Sequence, residues 1–200
     1  MFIHGGCAFS KYEEYISNLK NTKIDLSYED KKRWTKTLTE DLGENFEVIS
    51  PIFPSKYNAK YEEWKIWFEN HFGYLRDDVI LVGWSLGSMF LQKYLANNDL
   101  PVKIQALFLL ASPHGYFKDK RSGEDGGDFN LDTTNDVSQI VNKVDHIVLM
   151  HSKDDFVVPY EHTIKLYEKL PEAELVTFTD KNHFLVAELP ELIERIKGLV

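Results

Sequence analysis

The 200-residue sequence lacks the features of several specialised protein classes. A single cysteine, Cys7, excludes an intramolecular disulfide and is typical of a reducing compartment. No apolar run approaches the ~20 residues of a membrane span. The first residues have neither the basic nor the apolar region of a secretory signal. We therefore expect a cytoplasmic protein.

Basic residues are also scarce relative to acidic ones. Lys and Arg number 23 against 32 Asp and Glu, which gives a net charge of −9. Such a balance argues against nucleic acid or an anionic membrane as the main partner. The rest of the composition, with 43% hydrophobic and 28% charged residues, is that of a globular protein, and 200 residues suit a single domain over 1–200.

Apolar runs alternate with amphipathic stretches along the chain, and the two patterns predict strands and helices respectively. The predicted strands are 2–3, 46–49, 79–82, 104–111, 147–150 and 175–178. The predicted helices lie within 11–26, 27–42, 58–72, 86–97, 160–170 and 189–197. The second helix should begin at a capping box in residues 27–30 and stop at Gly43. This alternation is typical of an α/β protein with a single doubly wound, mostly parallel six-stranded sheet and helices on both faces.

Residues 113–136 interrupt this alternation. They contain four glycines and several acidic residues and show no helical or strand periodicity. Because they follow a predicted parallel strand, we interpret them as a lid loop over the ligand-binding edge of the sheet. Asp128, Asn130 and Asp132 are spaced like the start of a calcium loop. The glycine and glutamate that such a loop needs are absent, and no metal site is predicted.

The most informative stretch is Gly83-Trp84-Ser85-Leu86-Gly87, which lies between a predicted strand and a predicted helix. A sharp strand-to-helix turn would expose Ser85 at the sheet edge, and the flanking glycines would leave room for crowded backbone. The N–H of Leu86 would then point at any group bonded to Ser85. The stretch predicts a nucleophile and half of an oxyanion hole. The alternative is that Ser85 merely caps the helix.

Two later polar segments also follow predicted strands. Residues 153–159 contain Asp154 and Asp155, and residues 181–184 contain His183. Because parallel strands end at one edge of a sheet, these side chains could converge on Ser85 and supply a base with its orienting acid. One aspartate could instead cap the helix that Pro159 opens, so that the pair divides the two roles.

The motifs G-W-S-L-G at 83–87, D-D-x-x-V-P at 154–159 and N-H-F at 182–184 together resemble the α/β-hydrolase superfamily. Within it, the chain resembles the small branch that includes the retinoblastoma-binding serine hydrolases. The resemblance covers nearly the whole chain and implies a compact α/β-hydrolase fold. It implies Ser85 as nucleophile, His183 as base and Asp155 as acid. Asp155 is preferred over Asp154 because the acid of the family stands four residues before the proline.

The resemblance also implies an activity and the rest of a site. The second oxyanion donor, beside Leu86, would come from the loop after the first strand. The candidates there are Gly5, Gly6 and Cys7. From their positions just beyond strand ends, we expect six residues to contact substrate: Phe9, Trp84, His114, Tyr116, Phe117 and Phe156.

The function implied is a serine hydrolase that cleaves small esters, thioesters or amides through an acyl-enzyme on Ser85, with no metal or organic cofactor. The partner would be a small-molecule acyl substrate. Two alternatives stay open because fold does not fix function. One is a non-catalytic binding protein on the same scaffold. The other is a different reaction of the same three residues, such as carbon–carbon bond cleavage.

Overall fold

The computed structural model describes residues 1–27 and 31–200. Its strands are β1 (Phe2–Ile3), β2 (Val79–Trp84), β3 (Ile104–Leu110), β4 (Val144–Ser152) and β5 (Glu174–Phe178). Its helices are α1 (Tyr12–Asn21), α2 (Trp34–Leu42), α3 (Tyr61–Glu69), α4 (Leu86–Asn97), α5 (Glu161–Lys169) and α6 (Pro190–Lys197). Short 3-10 turns occupy Phe72–Tyr74, Gly127–Phe129 and Val137–Asn142. From β2 onward strands and helices alternate as the sequence predicts, with 3-10 turns in place of a helix between β3 and β4, whereas α1, α2 and α3 follow one another between β1 and β2.

The five strands form one parallel sheet in the order β1-β2-β3-β4-β5. Both faces of the sheet are covered. In β3, Leu107 and Leu109 belong to one apolar cluster, whereas Phe108 and Leu110 belong to a second, and all four are buried. Residues of α3, α4 and α5 join the first cluster, and residues of α2 and α6 join the second. This confirms the predicted α/β class with helices on both faces.

The predicted strand at 46–49 is wrong, and the sheet has five strands rather than six. The segment lies beside β1, since the N–H of Phe2 donates to the carbonyl of Ile49 at 2.9 Å. β1 is only two residues long, so it cannot support a continuous ladder on its second edge. Prolines at 51 and 54 follow at once and have no N–H to extend the pairing.

Helix α2 packs against α6 through an apolar stripe with a helical period. It buries Trp34, Leu38 and Leu42 at four-residue steps, and α6 buries Leu192 and Ile196. The predicted stop is confirmed, because α2 is followed by Gly43 at φ +83°, a conformation that favours glycine. The predicted capping box falls partly on residues outside those described, and the helix itself begins at Trp34.

Helix α4 starts directly after Ser85 and is buried along most of its length. It approaches the sheet so closely that its first turn has no room for a side chain at Gly87. A Cβ there would collide with the carbonyl oxygens of Ile3 and His4. A Cβ on Gly83 would lie 2.8 Å from backbone atoms of the same turn. No helix in the described part of the chain is long and apolar enough to cross a membrane.

Substitution Gly87→Ala should destabilise the protein by about 1–3 kcal/mol, because backbone oxygens of β1 and the following residue must move to admit the methyl group. The control is Gly73→Ala, where a Cβ would meet nothing within 4 Å. Urea unfolding of both variants measures the difference. Equal free energies of unfolding for the two variants would contradict this account of the contact.

Candidate active site

The functional candidates converge because every strand of the sheet runs in the same direction. Ser85 follows β2, Asp155 follows β4 and His183 follows β5. The loop that begins at Gly5 follows β1 at the same edge. Parallel strands therefore place an alcohol, a carboxylate and an imidazole from distant segments side by side.

Ser85 has the backbone conformation of a strained turn, with φ 55° and ψ −120°. Non-glycine residues rarely adopt such a positive φ, and those that do are held there by surrounding contacts. The Ser85 N–H donates to the carbonyl of Leu110 at 2.9 Å, and its carbonyl accepts the N–H groups of Ser88 and Met89. The turn is thereby fixed to β3 on one side and to α4 on the other.

Ser88 braces the same turn and was not singled out from the sequence. Its buried hydroxyl lies 2.6 Å from the carbonyl oxygen of Gly83 and accepts the N–H of Leu110 at 3.0 Å. It thus joins the two strands that flank Ser85. The available signal was a serine among the apolar residues that begin this helix, where a polar side chain needs a buried partner.

Three side chains form a continuous hydrogen-bonded chain. His183 Nε2 lies 3.0 Å from Ser85 Oγ, and His183 Nδ1 lies 2.8 Å from Asp155 Oδ2. An ionised carboxylate only accepts hydrogen bonds, so Nδ1 must carry the proton that faces Asp155. Nε2 then has a lone pair directed at the hydroxyl of Ser85. The arrangement can remove a proton from that hydroxyl.

Asp155 is completely buried, and each of its oxygens has more than one neighbour. Oδ1 accepts the backbone N–H groups of Val157 and Val158 at 2.7 and 2.9 Å. Oδ2 faces His183 and also His151 Nε2, at 3.1 Å. Burial raises the pKa of Asp155, but the hydrogen bonds from the two histidines and the backbone outweigh it and hold the pKa below the ordinary 3.8. The carboxylate is therefore ionised at neutral pH.

Asp154 and Trp84 hold the loop that carries His183. Asp154 Oδ1 accepts the N–H of Asn182 at 3.0 Å and the hydroxyl hydrogen of Ser152. The indole N–H of Trp84 donates to the carbonyl of His183 at 3.0 Å, and the two rings lie 5.6 Å apart. The two aspartates thus act on different partners. Trp84, expected to contact substrate, supports the imidazole.

The loop after β1 is shaped by His4, whose Nδ1 donates to the carbonyl of Gly5 at 2.6 Å while its Nε2 accepts the N–H of Phe53 at 2.8 Å. Burial lowers the pKa of His4, which favours the neutral ring that both bonds require. The Gly5 carbonyl and the Gly6 N–H belong to one planar trans peptide and point in opposite directions. His4 thereby fixes the direction of the Gly6 N–H.

The predicted oxyanion donors differ in what they already bind. The N–H groups of Gly5, Gly6 and Leu86 have no acceptor within the described residues. The N–H of Cys7, by contrast, donates to the carbonyl of Lys56 at 2.8 Å and is not directed toward Ser85. Gly5 lies against the nucleophile, since a Cβ on it would be 3.2 Å from Ser85 Cβ.

The 113–136 loop packs on this same edge. The N–H of Ser10 donates to Asp125 Oδ1 at 2.8 Å, and the N–H of Asp125 reaches the carbonyl of Ala8 at 3.3 Å. On the other side, the guanidinium of Arg121 lies 5.2 Å from the ring centre of Phe156, next to Asp155. The loop therefore connects the segment after β1 with the segment after β4.

The aromatic residues expected to contact substrate occupy different environments. Phe9 and Phe117 are buried, whereas Tyr116 and Phe156 are more than half exposed. The exposed rings of Tyr116 and Phe156 can contact a ligand at this edge. The buried rings of Phe9 and Phe117 can do so only where part of the ring reaches the surface of the site. A large surface cavity of about 720 Å³, lined by residues 52–58 with Tyr15 and Trp67, does not include Ser85 in its wall.

His114, expected in the pocket, belongs to a buried polar network. Its Nδ1 lies 2.8 Å from Gln92 Oε1, and its N–H lies 3.2 Å from His162 Nδ1. Burial, reinforced by the charge of His162, lowers the pKa of His114 to about 4. Gln92 also donates to Ser112 Oγ at 2.6 Å. The neutral ring of His114 thus anchors the start of the 113–136 loop.

The three residues spaced like the start of a calcium loop accept hydrogen bonds from protein groups. Asp128 accepts the N–H of Tyr61, and Asn130 accepts the N–H of Phe117. Asp132 accepts the N–H and hydroxyl hydrogens of Thr134. The described residues contain no group of three or more His, Cys, Asp or Glu side chains arranged to hold a metal ion.

Comparison with known proteins places these features in a family. The family described as Serine hydrolase matches residues 24–194. The serine hydrolase RBBP9 of Rattus norvegicus is 22% identical over 167 residues, which cover 84% of each chain. Two solved structures share the fold. The ydeN gene product of B. subtilis superposes with a TM-score of 0.77 at 19% identity, covering 99% of this chain and 96% of the other. The esterase domain of a Rhodothermus marinus protein superposes with a TM-score of 0.59 at 14% identity, covering 98% and 84%.

Glu124 gives a pH-dependent test of how the loop packs. Burial raises its pKa from 4.5 to about 7, although bonds from the Cys7 thiol and the Ala8 N–H oppose the rise. Above pH 4.5 the unfolded chain releases this proton while the folded chain keeps it, so stability is lost as pH rises toward 7. Glu124→Gln should match the wild type at pH 4 and exceed its unfolding free energy by about 2–3 kcal/mol at pH 8.

The control for this measurement is Glu172→Gln, which changes an exposed carboxylate. Urea unfolding between pH 4 and pH 8 should give no pH-dependent difference for the control. A Glu124→Gln difference that stays constant across this range would contradict the raised pKa of the buried carboxyl group.

Proposed function

Since the chain belongs to the Serine hydrolase family, we propose that it hydrolyses small carboxylic esters, thioesters or amides through an acyl-enzyme on Ser85. The observation that carries this proposal is the pair of distances at His183, 3.0 Å to Ser85 Oγ and 2.8 Å to Asp155 Oδ2. Both are within hydrogen-bond reach, so His183 can take the proton of Ser85 while Asp155 holds the ring, without rearrangement of the three side chains.

In the first half of the reaction, Ser85 Oγ attacks the substrate carbonyl carbon while its proton passes to His183 Nε2. The carbonyl electron pair moves onto the oxygen and gives a tetrahedral oxyanion. As the oxyanion collapses, the bond to the leaving group breaks, and the leaving alcohol, thiol or amine takes the proton from His183. An ester of Ser85 is left. Asp155 holds the imidazole and stabilises its positive charge throughout.

The second half repeats these steps with water. His183 removes a proton from a water molecule that attacks the acyl carbon. When this second intermediate collapses, the bond from the acyl carbon to Ser85 Oγ breaks, His183 returns the proton to that oxygen, and the acid is released. No metal ion or organic cofactor takes part in this scheme. The largest contribution to the rate in this scheme is electrostatic, because the groups that stabilise the charge of the transition state are already oriented before substrate binds.

We assign the oxyanion hole to the N–H groups of Leu86 and Gly6. Their lack of a protein acceptor leaves them available, and the planar peptide held by His4 orients the second of them. Gly5 has no side chain, and this lets the loop after β1 lie against Ser85. Cys7 is left out of this assignment because its N–H is already bonded.

The substrate is expected to be a small molecule bound between the end of β2 and the 113–136 loop, which would act as a lid. Tyr116 and Phe156 are exposed at this edge and suit an apolar acyl or leaving group. Esters are favoured as the first class to test because one structure with the same fold is an esterase domain. Nucleic acid and membranes are not expected as partners, and we place the protein in the cytoplasm.

The direct test is hydrolysis of p-nitrophenyl esters and thioesters of increasing acyl length by the wild type and by Ser85→Ala. We expect a short acyl chain to be preferred and the variant to lose about 10⁴-fold or more in kcat. Ser17→Ala, on the exposed part of α1, is the matched control and should keep full activity. If the wild type cleaves none of these substrates, the scaffold serves binding instead. If Ser85→Ala retains activity, another residue is the nucleophile.

The two neighbouring aspartates should be separable by kinetics. Asp155→Asn places an amide against His183 and disfavours the tautomer that accepts from Ser85, so kcat should fall by about 10³–10⁴-fold. Asp154→Ala removes the acceptor of the Asn182 N–H and of the Ser152 hydroxyl but leaves the His183 contact in place, and about a tenfold loss is expected. Steady-state rates of the two variants at saturating ester decide the assignment. The reverse order of losses would make Asp154 the orienting acid.

A further inference from the structure

A second histidine touches the carboxylate of Asp155. His151 lies in β4 at the end of an apolar run and is fully buried. Its Nε2 is 3.1 Å from Asp155 Oδ2, the oxygen that also contacts His183. Neither the proposed proton transfers nor the oxyanion hole uses this residue.

The contacts of the ring determine where its proton lies. Nε2 is 3.1 Å from the carboxylate oxygen of Asp155 and 3.0 Å from the carbonyl oxygen of Val158. Both of these neighbours only accept hydrogen bonds, so Nε2 must be the donor. Nδ1 lies 2.6 Å from the hydroxyl of Thr163, which is buried in α5 and can donate to it. Every polar atom of the ring is then satisfied by a neutral imidazole.

We propose that His151 is a positioning residue for the proposed hydrolytic reaction, which holds Asp155 Oδ2 toward His183 and shares its negative charge. The inference rests on the proposed function. Oδ1 is fixed by two backbone N–H groups, so the backbone alone sets one end of the carboxylate. The Nε2–H of His151 holds the other oxygen, Oδ2, which is the oxygen that accepts the hydrogen bond from His183.

Sharing the oxygen has a chemical consequence. Oδ2 accepts from two N–H groups, and each additional donor reduces the charge available to stabilise a proton on His183. Oδ2 therefore stabilises positive charge on His183 less than the oxygen of a carboxylate with a single partner would. This suits a group that must release a proton to each leaving group. Removal of the His151 donor should shift the active range toward higher pH.

The surroundings of His151 contain few other titratable groups that could produce such a shift. Tyr160 packs edge-on against the ring with centroids 5.6 Å apart, and His162 on α5 interacts with it electrostatically. Asp155 faces Nε2 directly, with His183 on the far side of the carboxylate. Among these, only Asp155 connects His151 to the hydroxyl of Ser85.

The test compares His151→Phe and His151→Gln through the pH dependence of kcat/KM for p-nitrophenyl acetate. Phe keeps a ring but removes the donor. The acid limb should move up by about half to one pH unit, with kcat about tenfold lower and KM within about twofold. Gln can place an amide N–H near the same point and should recover most of the shift. His146→Gln, exposed on the same strand, is the matched control and should keep the wild-type profile.

A folded His151→Phe variant with the wild-type acid limb overturns the proposal. So does a loss of kcat with an unmoved limb that Gln fails to restore, since that pattern indicates a purely structural role. If His151→Phe does not fold, Thr163→Val decides, because it keeps the imidazole but removes the hydroxyl contact at Nδ1 that fixes the orientation of the ring. A smaller shift in the same direction supports the proposal, and an unmoved limb contradicts it.

Failure of the proposed function can be told apart from failure of this inference. If the wild type hydrolyses no ester, the proposed function fails, and NMR titration of the His183 ring proton in the wild type and His151→Phe still measures the effect of the contact. A higher titration midpoint in the variant supports the positioning role. An unchanged midpoint contradicts it.

Discussion

The carboxylate of Asp155 connects the fold to the chemistry of the site. The backbone N–H groups of Val157 and Val158 fix one oxygen, and the imidazoles of two histidines both contact the other. Because the group is wholly buried, its charge is tolerated only while these donors stay in place. The end of β4, the loop that follows it and the loop after β5 are therefore arranged around a single ionised side chain.

A second constraint acts at the opposite end of the hydrogen-bonded chain. The turn at Ser85 combines a positive φ with a helix that approaches β1 too closely for a side chain at Gly87. Ser88 ties the end of β2, which leads into this turn, to the end of β3. Strain of this kind persists only where the surroundings over-determine it, and here it directs the hydroxyl outward at the sheet edge. The two constraints meet at His183, whose loop is held by Trp84 and Asp154.

Much of this could be read from the sequence because the relevant signals are local. Apolar runs separated by amphipathic segments identify the parallel strands, and the residues that follow β2, β4 and β5 must share one edge. The glycines on either side of Ser85 indicate a crowded turn. The structure confirms the crowding, because a Cβ at either position would clash with backbone atoms. The strand expected at 46–49 failed because pairing depends on the length of the neighbour, and β1 is too short to form a second ladder.

Other parts of the site depend on contacts between residues far apart in sequence. Nothing local distinguishes His151, which ends an apolar strand as many structural histidines do. Its proposed role follows only from the distance between its Nε2 and Asp155 and from the contact of its Nδ1 with Thr163. The commitment of the Cys7 N–H to Lys56 is likewise invisible in the motif after β1. Among the aromatic residues chosen by position, Phe9 and Phe117 are buried and Tyr116 and Phe156 are exposed, because position at a strand end does not fix burial.

The account depends most directly on Ser85 being the group that attacks the substrate carbonyl. Treatment with a fluorophosphonate ester, followed by intact mass measurement and tandem mass spectrometry of the digested protein, tests it in one experiment. The account predicts a single adduct per chain on the peptide that contains Ser85, and its loss when Asp155 is replaced by asparagine. An adduct on any other residue, or no adduct under conditions that label a known serine hydrolase, would contradict it.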